Sequence, residues 1–583
     1  MRNKEKKIIL VSTPFLEYTL PSAQLAALQA YLEVNNISVC SLFSYVKFYE
    51  ILGKYYADIL NNSEYAEWIY YQFLYEEQYK KDKEKIDDKI KKKLILNNEE
   101  LEDLTNKIRK FNEWLLDKIL KLNCPLVGFS ITYNQLLPSL YIAQQLKKSD
   151  SKMRIIFGGS RVNGELGSSL QKTCNYIDTI LSGEGERILC QYIIDYYKSG
   201  VDGEFASQRY IDANEFIDIN SLPTPEYRDY IAIIKECNLN TENIYYFYEV
   251  ARGCWWNRCT FCSSLRLYKK YREKNPETVV KDISQMKAQY NVNKIWLLGD
   301  CYSFASYKKM SELIVVNKAD FIFMAYSRCS LEKAYYDALK KMGANAIMIG
   351  IEAISDSLLL KMDKGCTAIA NIQCLKICSE LNINCVYNLF YSYPNFDKND
   401  FVETIDNIVY VAGYQPPESI CDMELQYGSK IYLNPSKYGI AKYCYSEFDR
   451  LSLPECAMPF KFDYKKSHNT DRYSKVIIQK VQEWNKAYEI YGRNNILYYK
   501  IEGNSLVIYD NRPSMSIHRV CLNGYKKSVF LYCETIKSFD EILYKFGDID
   551  EKKIQDALRW FVSCKIMFSS NDKYLSLPVY ING

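Results

Sequence analysis

Three cysteines fall within nine residues in the run Arg252-Gly253-Cys254-Trp255-Trp256-Asn257-Arg258-Cys259-Thr260-Phe261-Cys262. A hydrophobic core does not need that clustering. Three thiolates can hold three irons of a 4Fe–4S cluster and leave the fourth open to a substrate or cofactor. A structural zinc site is the rival, but it closes four ligands around one ion. No second paired-cysteine motif follows, and a histidine partner is nearly excluded because the chain has only His468 and His518. With 20 Cys in 583 residues, chance clustering is the other alternative.

The elements that must hold this loop follow from the apolar patterning. Tyr245 to Ala251 is β-prone and runs straight into the cysteines. Strand–helix units then repeat. Asn275 caps a helix with Pro276 at its first position. Lys294 to Leu298 is a strand ending at Gly299-Asp300. Phe321 to Tyr326 ends at Ser327-Arg328, and Ser330 caps the helix after it. Ala346 to Ile349 ends at Gly350-Ile351-Glu352, and Thr367 caps the next helix. Cys385 to Phe390 ends before Pro394, and a sixth strand falls at Asp422 to Gln426. This order predicts a partial (βα)6 barrel, whose chemistry belongs at the carboxyl ends of the strands. Asp300, Ser327, Arg328, Glu352, Asn388 and Tyr427 all fall there, beside the cysteine loop.

Before that barrel the chain predicts an open, doubly wound α/β sheet. Its strands are Ile8 to Val11, Ile37 to Leu42, Pro125 to Ser130, Arg154 to Phe157 and Ile177 to Leu181. A helical, charged insertion over about 44–122 breaks the rhythm; its mixed charges read as a solvated helix face, with a charged partner peptide as the alternative. Ligands of such sheets bind outside the strands' carboxyl ends. Those ends are Thr13-Pro14, the run from Ser130 to Gln135, Gly158-Gly159-Ser160 and Gly183-Glu184-Gly185. The domains read as 1–219, a Pro-rich linker at 220–242, the barrel at 243–440, a helical connector at 441–497 and an α+β domain at 498–583. The last has the helix, helix, hairpin order of a winged helix.

Cys-Trp-Trp before Cys-Thr-Phe-Cys resembles the radical S-adenosylmethionine (SAM) enzymes that mature ribosomally made peptides. The branch with an N-terminal cobalamin-binding domain is the closer likeness. "Gly-Phe-Ser-Ile-Thr-Tyr-Asn-Gln" from Gly128 and "Ser-Gly-Glu-Gly-Glu" from Ser182 carry it in the first domain. The gap between the first two cysteines, Trp255 to Arg258, departs from the commonest family spacing.

The resemblance implies a Rossmann-like cobalamin-type domain, a radical-SAM barrel and a winged-helix-like tail. The tail is similar to leader-peptide-recognising domains and to the family's own C-terminal cap. The implied cofactors are a 4Fe–4S cluster on Cys254, Cys259 and Cys262, SAM, and cobalamin. For SAM the implied contacts are Asp300 at the methionine end, Ser327 and Arg328 at the carboxylate, Glu352 at an amine or ribose hydroxyl, Asn388, and Phe261 against adenine. For each polar residue a rim salt bridge or turn is the bland alternative, and for Phe261 plain loop packing. For cobalamin the contacts are Thr13, Pro14, Ser130, Thr132, Tyr133, Gln135, Gly158, Gly159, Ser160, Gly183, Glu184 and Gly185. Residues 1–219 contain no histidine, so the lower face of cobalt would be open, or met by water or another side chain; a degenerate domain that binds nothing is the alternative. Tyr427 is the one catalytic candidate.

The implied reaction is methylation of an unactivated carbon in a precursor peptide, with a flavodoxin- or ferredoxin-type electron donor. Two rivals stand beside it. One is a radical peptide modification without methyl transfer, such as epimerisation, crosslinking or rearrangement. The other is a non-catalytic iron–sulfur sensor of peptide or nucleic acid.

Composition sets outer limits. Hydrophobic residues make up 48% and charged residues 25%, as in a globular protein. A net charge of +4 makes no case for nucleic acid. No apolar run suffices for a membrane span, and the start lacks a signal-peptide core, so a cytoplasmic location is expected.

Overall fold

The computed structural model describes residues 5–62, 67–132, 134–213, 215–445, 458–465, 470–513 and 515–581. Contacts divide the chain into two compact units. One comprises residues 1–250, 272–296 and 444–462; the other comprises 251–271, 297–443 and 463–583.

The first unit is built on six strands in the order β2-β1-β3-β4-β5-β6. They are β1 (Lys7–Ser12), β2 (Ser38–Phe43), β3 (Leu126–Ser130), β4 (Arg154–Gly158), β5 (Thr179–Ser182) and β6 (Tyr210–Asp212). Every neighbouring pair is parallel. Parallel strands are covered on both faces, which is why β1 and β3 read as nearly unbroken apolar runs. Sequence patterning misses β6, because a three-residue strand ending in Asp carries no periodic signal. The helix Ala23–Val34 starts at Ser22, whose hydroxyl accepts from the Leu25 amide.

The insertion is helical, with main helices Ser44–Leu52, Glu76–Leu94 and Asn98–Lys121. It does not stand apart from the domain. Phe48, Leu104, Ile108, Phe111 and Leu115 join one core with Ile9, Val11 and Phe129 of the sheet. The mixed charges of Glu76–Leu94 face water, while Ile86, Ile90 and Leu94 are buried. Glu67, within the insertion, is buried and accepts from the Leu137 amide at 2.7 Å, at the start of the helix Leu136–Ser149. That places a carboxylate at the positive end of a helix dipole.

In the second unit the strands β9 (Ile322–Ser327), β10 (Ala344–Ile349) and β11 (Asn384–Val386) lie side by side and parallel. They follow β7 (Tyr246–Glu249) and β8 (Lys294–Leu298) in sequence. The predicted single strand from Cys385 to Phe390 is in fact two, because Tyr387 separates β11 from β12 (Asn388–Ser392). β12 pairs with β13 (Ser419–Asp422), slightly earlier than the expected sixth strand. Ser330 does not cap the helix Lys333–Lys341; Glu332 holds that position, and the Ser330 hydroxyl accepts from the Glu332 amide in a turn. Thr367 is the N-cap of the helix Ala368–Glu380, as expected, though its side chain makes no cap hydrogen bond; the Asp356 carboxylate accepts from the Ala368 amide.

The helix Ala368–Glu380 is buried on every side, from Ala368 to Ser379. A helix apolar or buried all round must be wrapped, and the C-terminal residues wrap this one. Lys376 donates to the carbonyls of Ser576 at 2.7 Å and Glu534 at 3.0 Å. Gln373 accepts from the Ile536 amide at 2.6 Å, and Tyr414 donates to the Leu577 carbonyl at 2.6 Å. The C-terminal elements run in order Gly524–Tyr532, Phe539–Lys545 and Glu551–Ser563, all helical, then the hairpin Met567–Ser570 and Lys573–Ser576. A sheet of Leu497–Glu502, Ser505–Asp510, Arg519–Leu522 and Val579–Tyr580 stands beside them. His518 is in this part and accounts for no site; His468 and Cys456 lie outside the described residues.

Gly159 follows β4 at φ +104, and a Cβ there would lie 2.4 Å from the Ile131 carbonyl oxygen. Both the dihedral and the space demand glycine. Gly159→Ala should therefore destabilise the protein by about 2 kcal/mol, read as a lower midpoint in urea denaturation followed by circular dichroism.

Candidate active site

The cysteine loop is fastened to the segment 361–366, which follows the helix Asp356–Lys361. The Thr260 amide donates to the Met362 carbonyl at 2.9 Å. The Trp256 indole donates to the Asp363 carbonyl at 2.7 Å, and Arg258 pairs with the Asp363 carboxylate at 3.1 Å. The Trp256 ring lies against Gly365, where a Cβ would come within 2.1 Å of it. The Thr260 hydroxyl also meets Tyr393. From the other side, Lys430 donates to the Arg258 carbonyl at 2.9 Å, the Ile431 amide to the Thr260 carbonyl at 3.1 Å, and Ser263 to Gln426 at 2.8 Å. Of the three thiols, Cys259 is buried while Cys254 and Cys262 are half-buried. Among the described residues no three His, Cys, Asp or Glu side chains converge as the ligands of one metal ion would. Thiolates on three separate irons stand farther apart than that.

Of the predicted strand-end residues, Asp300 and Arg328 meet this loop directly, and Glu352 meets the segment 361–366 on which it sits. Asp300 accepts from the Ser264 hydroxyl, just past Cys262. Glu352 pairs with Lys364 at 2.9 Å. Arg328 donates toward the Cys259 sulfur at 3.9 Å and to the Lys364 carbonyl, and its guanidinium lies 5.3 Å and 5.0 Å from the Trp255 and Trp256 rings. Phe261 packs on Phe390 at 5.4 Å between centroids. Ser327 and Asn388 are already engaged, Ser327 with Tyr335 at 2.6 Å and Asn388 with Ser419 at 2.8 Å. Tyr427 packs on Tyr432, with Arg266 over its ring. Sequence reasoning missed Lys364, Asp363, Gly365 and Cys301. The one available signal was that two adjacent tryptophans need partners; nothing local named the segment 361–366.

In the first unit the predicted strand ends form one hydrogen-bonded rim. Gln135 is fully buried; its amide donates to Ser12 at 3.1 Å and to the Thr13 carbonyl. Its carbonyl oxygen accepts from the Thr132 amide at 2.9 Å and hydroxyl at 2.7 Å. Thr13 also meets Ser139 at 2.8 Å. Pro14 follows at the end of β1, and Ser130 closes β3, its carbonyl end paired to Gly158 of β4. Gly159 and Ser160 turn the chain after β4. Asn163, which the sequence did not single out, accepts from Ser182 at 2.6 Å and from the Gly183 amide at 2.8 Å. Glu184 is held by Arg272 at 3.1 Å, and Gly185 opens the helix Gly185–Ser199. Tyr133 lies outside the described residues.

A family model, the radical SAM superfamily, matches residues 248–408. The chain carries a radical SAM domain. It is similar to an uncharacterised methyltransferase of Pyrococcus horikoshii, 22% identical over 302 residues, 49% of this chain and 64% of the relative. The chain spans less than two thirds of the length of the curated relatives it matches. Its fold is similar to that of the cobalamin-dependent radical SAM enzyme OxsB with aqua-cobalamin and S-adenosylmethionine bound, at TM-score 0.56 and 15% identity, over 83% of this chain and 67% of that one. It is likewise similar to the radical SAM methyltransferase TsrM of Kitasatospora setae, at TM-score 0.55 and 12% identity, over 82% of this chain and 89% of that one. The cofactors of a radical SAM domain are a 4Fe–4S cluster and S-adenosylmethionine, and cobalamin is bound in the solved OxsB structure.

The donor set of the radical SAM domain fits a cluster. Cys301 donates its thiol to Cys254, which with nearby backbone amides and Arg328 holds the Cys254 thiol below its ordinary range. That favours the thiolate, the form that ligates iron. Burial pushes Cys262 up to about 11, and the Asp300 carboxylate adds to this; iron must displace that proton. Burial likewise raises Asp300, against the opposing Ser264 hydrogen bond.

Two outcomes follow for the metal-free protein. Near neutral pH, Cys254 should be alkylated by iodoacetamide well before Cys262, as read by peptide mass spectrometry, and Cys301→Ala should move the Cys254 profile to higher pH. Replacing any one of Cys254, Cys259 or Cys262 by Ala should cost most of the iron and sulfide taken up on anaerobic reconstitution.

Proposed function

We propose that this chain is a cobalamin-dependent radical SAM methyltransferase acting on an unactivated carbon, and that its substrate is a ribosomally made precursor peptide. The observation that carries the enzyme reading is the three-cysteine loop locked to residues 361–366 inside the radical SAM domain. When bound, the cluster and S-adenosylmethionine supply a 5′-deoxyadenosyl radical, and cobalamin carries the methyl group. A neutral carbon has no acidic proton, so a radical is the route to it.

The chain's own residues would hold and orient these groups. Cys254, Cys259 and Cys262 hold the cluster. Asp300 and Glu352 offer carboxylates to the amine and hydroxyl donors of S-adenosylmethionine, and Phe261 offers a ring face to adenine. Arg328 stands beside Cys259 with N–H groups that can serve a carboxylate. Ser327 and Asn388 act as supports, since their polar atoms are already bonded within the strand ends. The rim of Thr13, Pro14, Ser130, Thr132, Gln135, Gly158, Gly159, Ser160, Gly183, Glu184 and Gly185, together with Tyr133 of the same sequence run, is the proposed cobalamin contact. Gln135 and Asn163 fix the rim's backbone. The residues of the rim provide no histidine, so cobalt would be open below or met by another group.

The peptide substrate rests on the cysteine run's resemblance to peptide-maturation enzymes and on Trp255, which is 53% exposed within the cysteine loop. The C-terminal elements are fused to the buried helix Ala368–Glu380, which supports a role as a cap. A flavodoxin- or ferredoxin-type donor would supply the electron. Among the described residues no helix is long and apolar enough to cross a membrane.

Protein purified and reconstituted without oxygen, offered cobalamin and freed of the unbound fraction, should keep corrin bands beside the broad iron–sulfur absorption. Under a strong reductant it should release 5′-deoxyadenosine, and a peptide substrate should gain one methylene in mass. Iron–sulfur absorption without corrin bands would sink the methylase reading. A modified peptide of unchanged mass would move the assignment to a radical rearrangement or epimerisation.

A further inference from the structure

Lys364 is a buried lysine with no place in the reading above. Its side chain is 7% exposed, and its ammonium pairs with Glu352 at 2.9 Å. It also lies 5.7 Å from the centroid of Phe261, just before Cys262, and within electrostatic reach of the Cys259 sulfur. A buried ammonium is costly unless it is paired, and the surroundings are shaped to keep this one. Glu352 adopts φ +60, a conformation that a side-chain-bearing residue rarely takes. Gly350 leaves the room: a Cβ there would lie 2.6 Å from the lysine nitrogen and 3.0 Å from the Glu352 carboxylate. Backbone held in this way at a site is a sign of function rather than of economy in folding.

A second cation faces the same sulfur. Arg328 donates to Cys259 at 3.9 Å and grips the Lys364 carbonyl. The charges around the loop are therefore uneven. Cys259 is faced by Arg328 and by the Lys364–Glu352 pair. Cys262 has the Asp300 carboxylate beside it with Lys364 also in reach, and Cys254 has the Cys301 thiol with Arg328 also in reach, so Cys259 is the sulfur that both cations and the Glu352 partner share. Arg258 and Asp363 neutralise each other at the outer edge.

We propose that Lys364 and Arg328 are positioning residues that set the reduction potential of the cluster through Cys259. A cluster held by three thiolates gains one negative charge when it takes an electron. Buried cations beside a ligand sulfur stabilise that charge and raise the potential, bringing it within reach of a biological donor. Glu352 tempers the effect, and its carboxylate keeps the lysine in place. This rests on the cluster reading of Cys259 and not on where S-adenosylmethionine or cobalamin binds.

The test is a potentiometric titration of the reconstituted full-length protein, followed by electron paramagnetic resonance, with neither S-adenosylmethionine nor cobalamin present. Lys364→Met and Arg328→Gln should each lower the ratio of reduced to oxidised cluster at a fixed potential by about tenfold, which for one electron is a shift of about 59 mV to the negative side. Lys364→Arg should restore most of it. Glu352→Gln, close in size to the natural residue, should shift the potential in the opposite direction. A merely structural role would not give opposite signs from the two halves of one ion pair. Shifts of the same sign, or no shift in Glu352→Gln with full iron content, would overturn the proposal even if Lys364→Met failed to fold. A wild-type protein that took up no cluster would overturn the reading beneath it.

Discussion

The arrangement of the site depends on one docking event, the seating of the cysteine loop on residues 361–366. A loop of eleven residues with three thiols has little reason of its own to hold one shape. Its order comes from outside, through the Thr260–Met362 hydrogen bond, the Trp256 indole on the Asp363 carbonyl, and the Arg258–Asp363 pair. Each tie alone is worth about 1 kcal/mol. Together they hold the sulfurs against a rigid strand–helix unit, which is what a cluster with fixed dimensions requires. Lys364 lies within the same segment, so the residues that hold the loop also deliver the charge beside it.

The two halves of the candidate chemistry solve their positioning problems differently. In the first unit the strand ends are tied through side-chain amides. Gln135 joins β1 to the loop after β3, and Asn163 joins the loop after β4 to β5. An amide that donates and accepts at once can bridge neighbouring strand ends without adding charge. In the second unit ionic and aromatic ties are added to the hydrogen bonds. That suits a site where a net negative cluster and a cationic sulfonium cofactor are expected, because fixed charges there can do electrostatic work.

Much of the fold could be read from the sequence, since it rests on patterns of short range. β1, β3, β4 and β8 fall where the apolar runs put them, and the helix starts at Ser22 and Asn275 hold. The misses share a cause. β6 is too short to show a period, Tyr387 breaks an apolar run that looks continuous, and Ser330 bonds within its own turn rather than to a helix. The site divides along the same line. The three cysteines and Asp300, Arg328 and Glu352 could be named from motif and strand-end position. Lys364, Gly365, Cys301 and Asn163 could not, because each matters only through a contact distant in sequence. Burial of the helix Ala368–Glu380 belongs with these, since its wrapping comes from residues near the C-terminus.

The contact between Trp256 and Gly365 constrains how this sequence can change over time. The indole fills the space a methyl group would need. Neither position can drift freely: at φ +72 a side chain at 365 is strained even where a smaller ring at 256 makes room, and a smaller ring at 256 leaves a hole that 365 is ill placed to fill. Among descendants of this chain the two sites should therefore tend to stay as they are, and the tryptophan that looks like a feature of the cysteine motif is in part the record of a glycine far downstream.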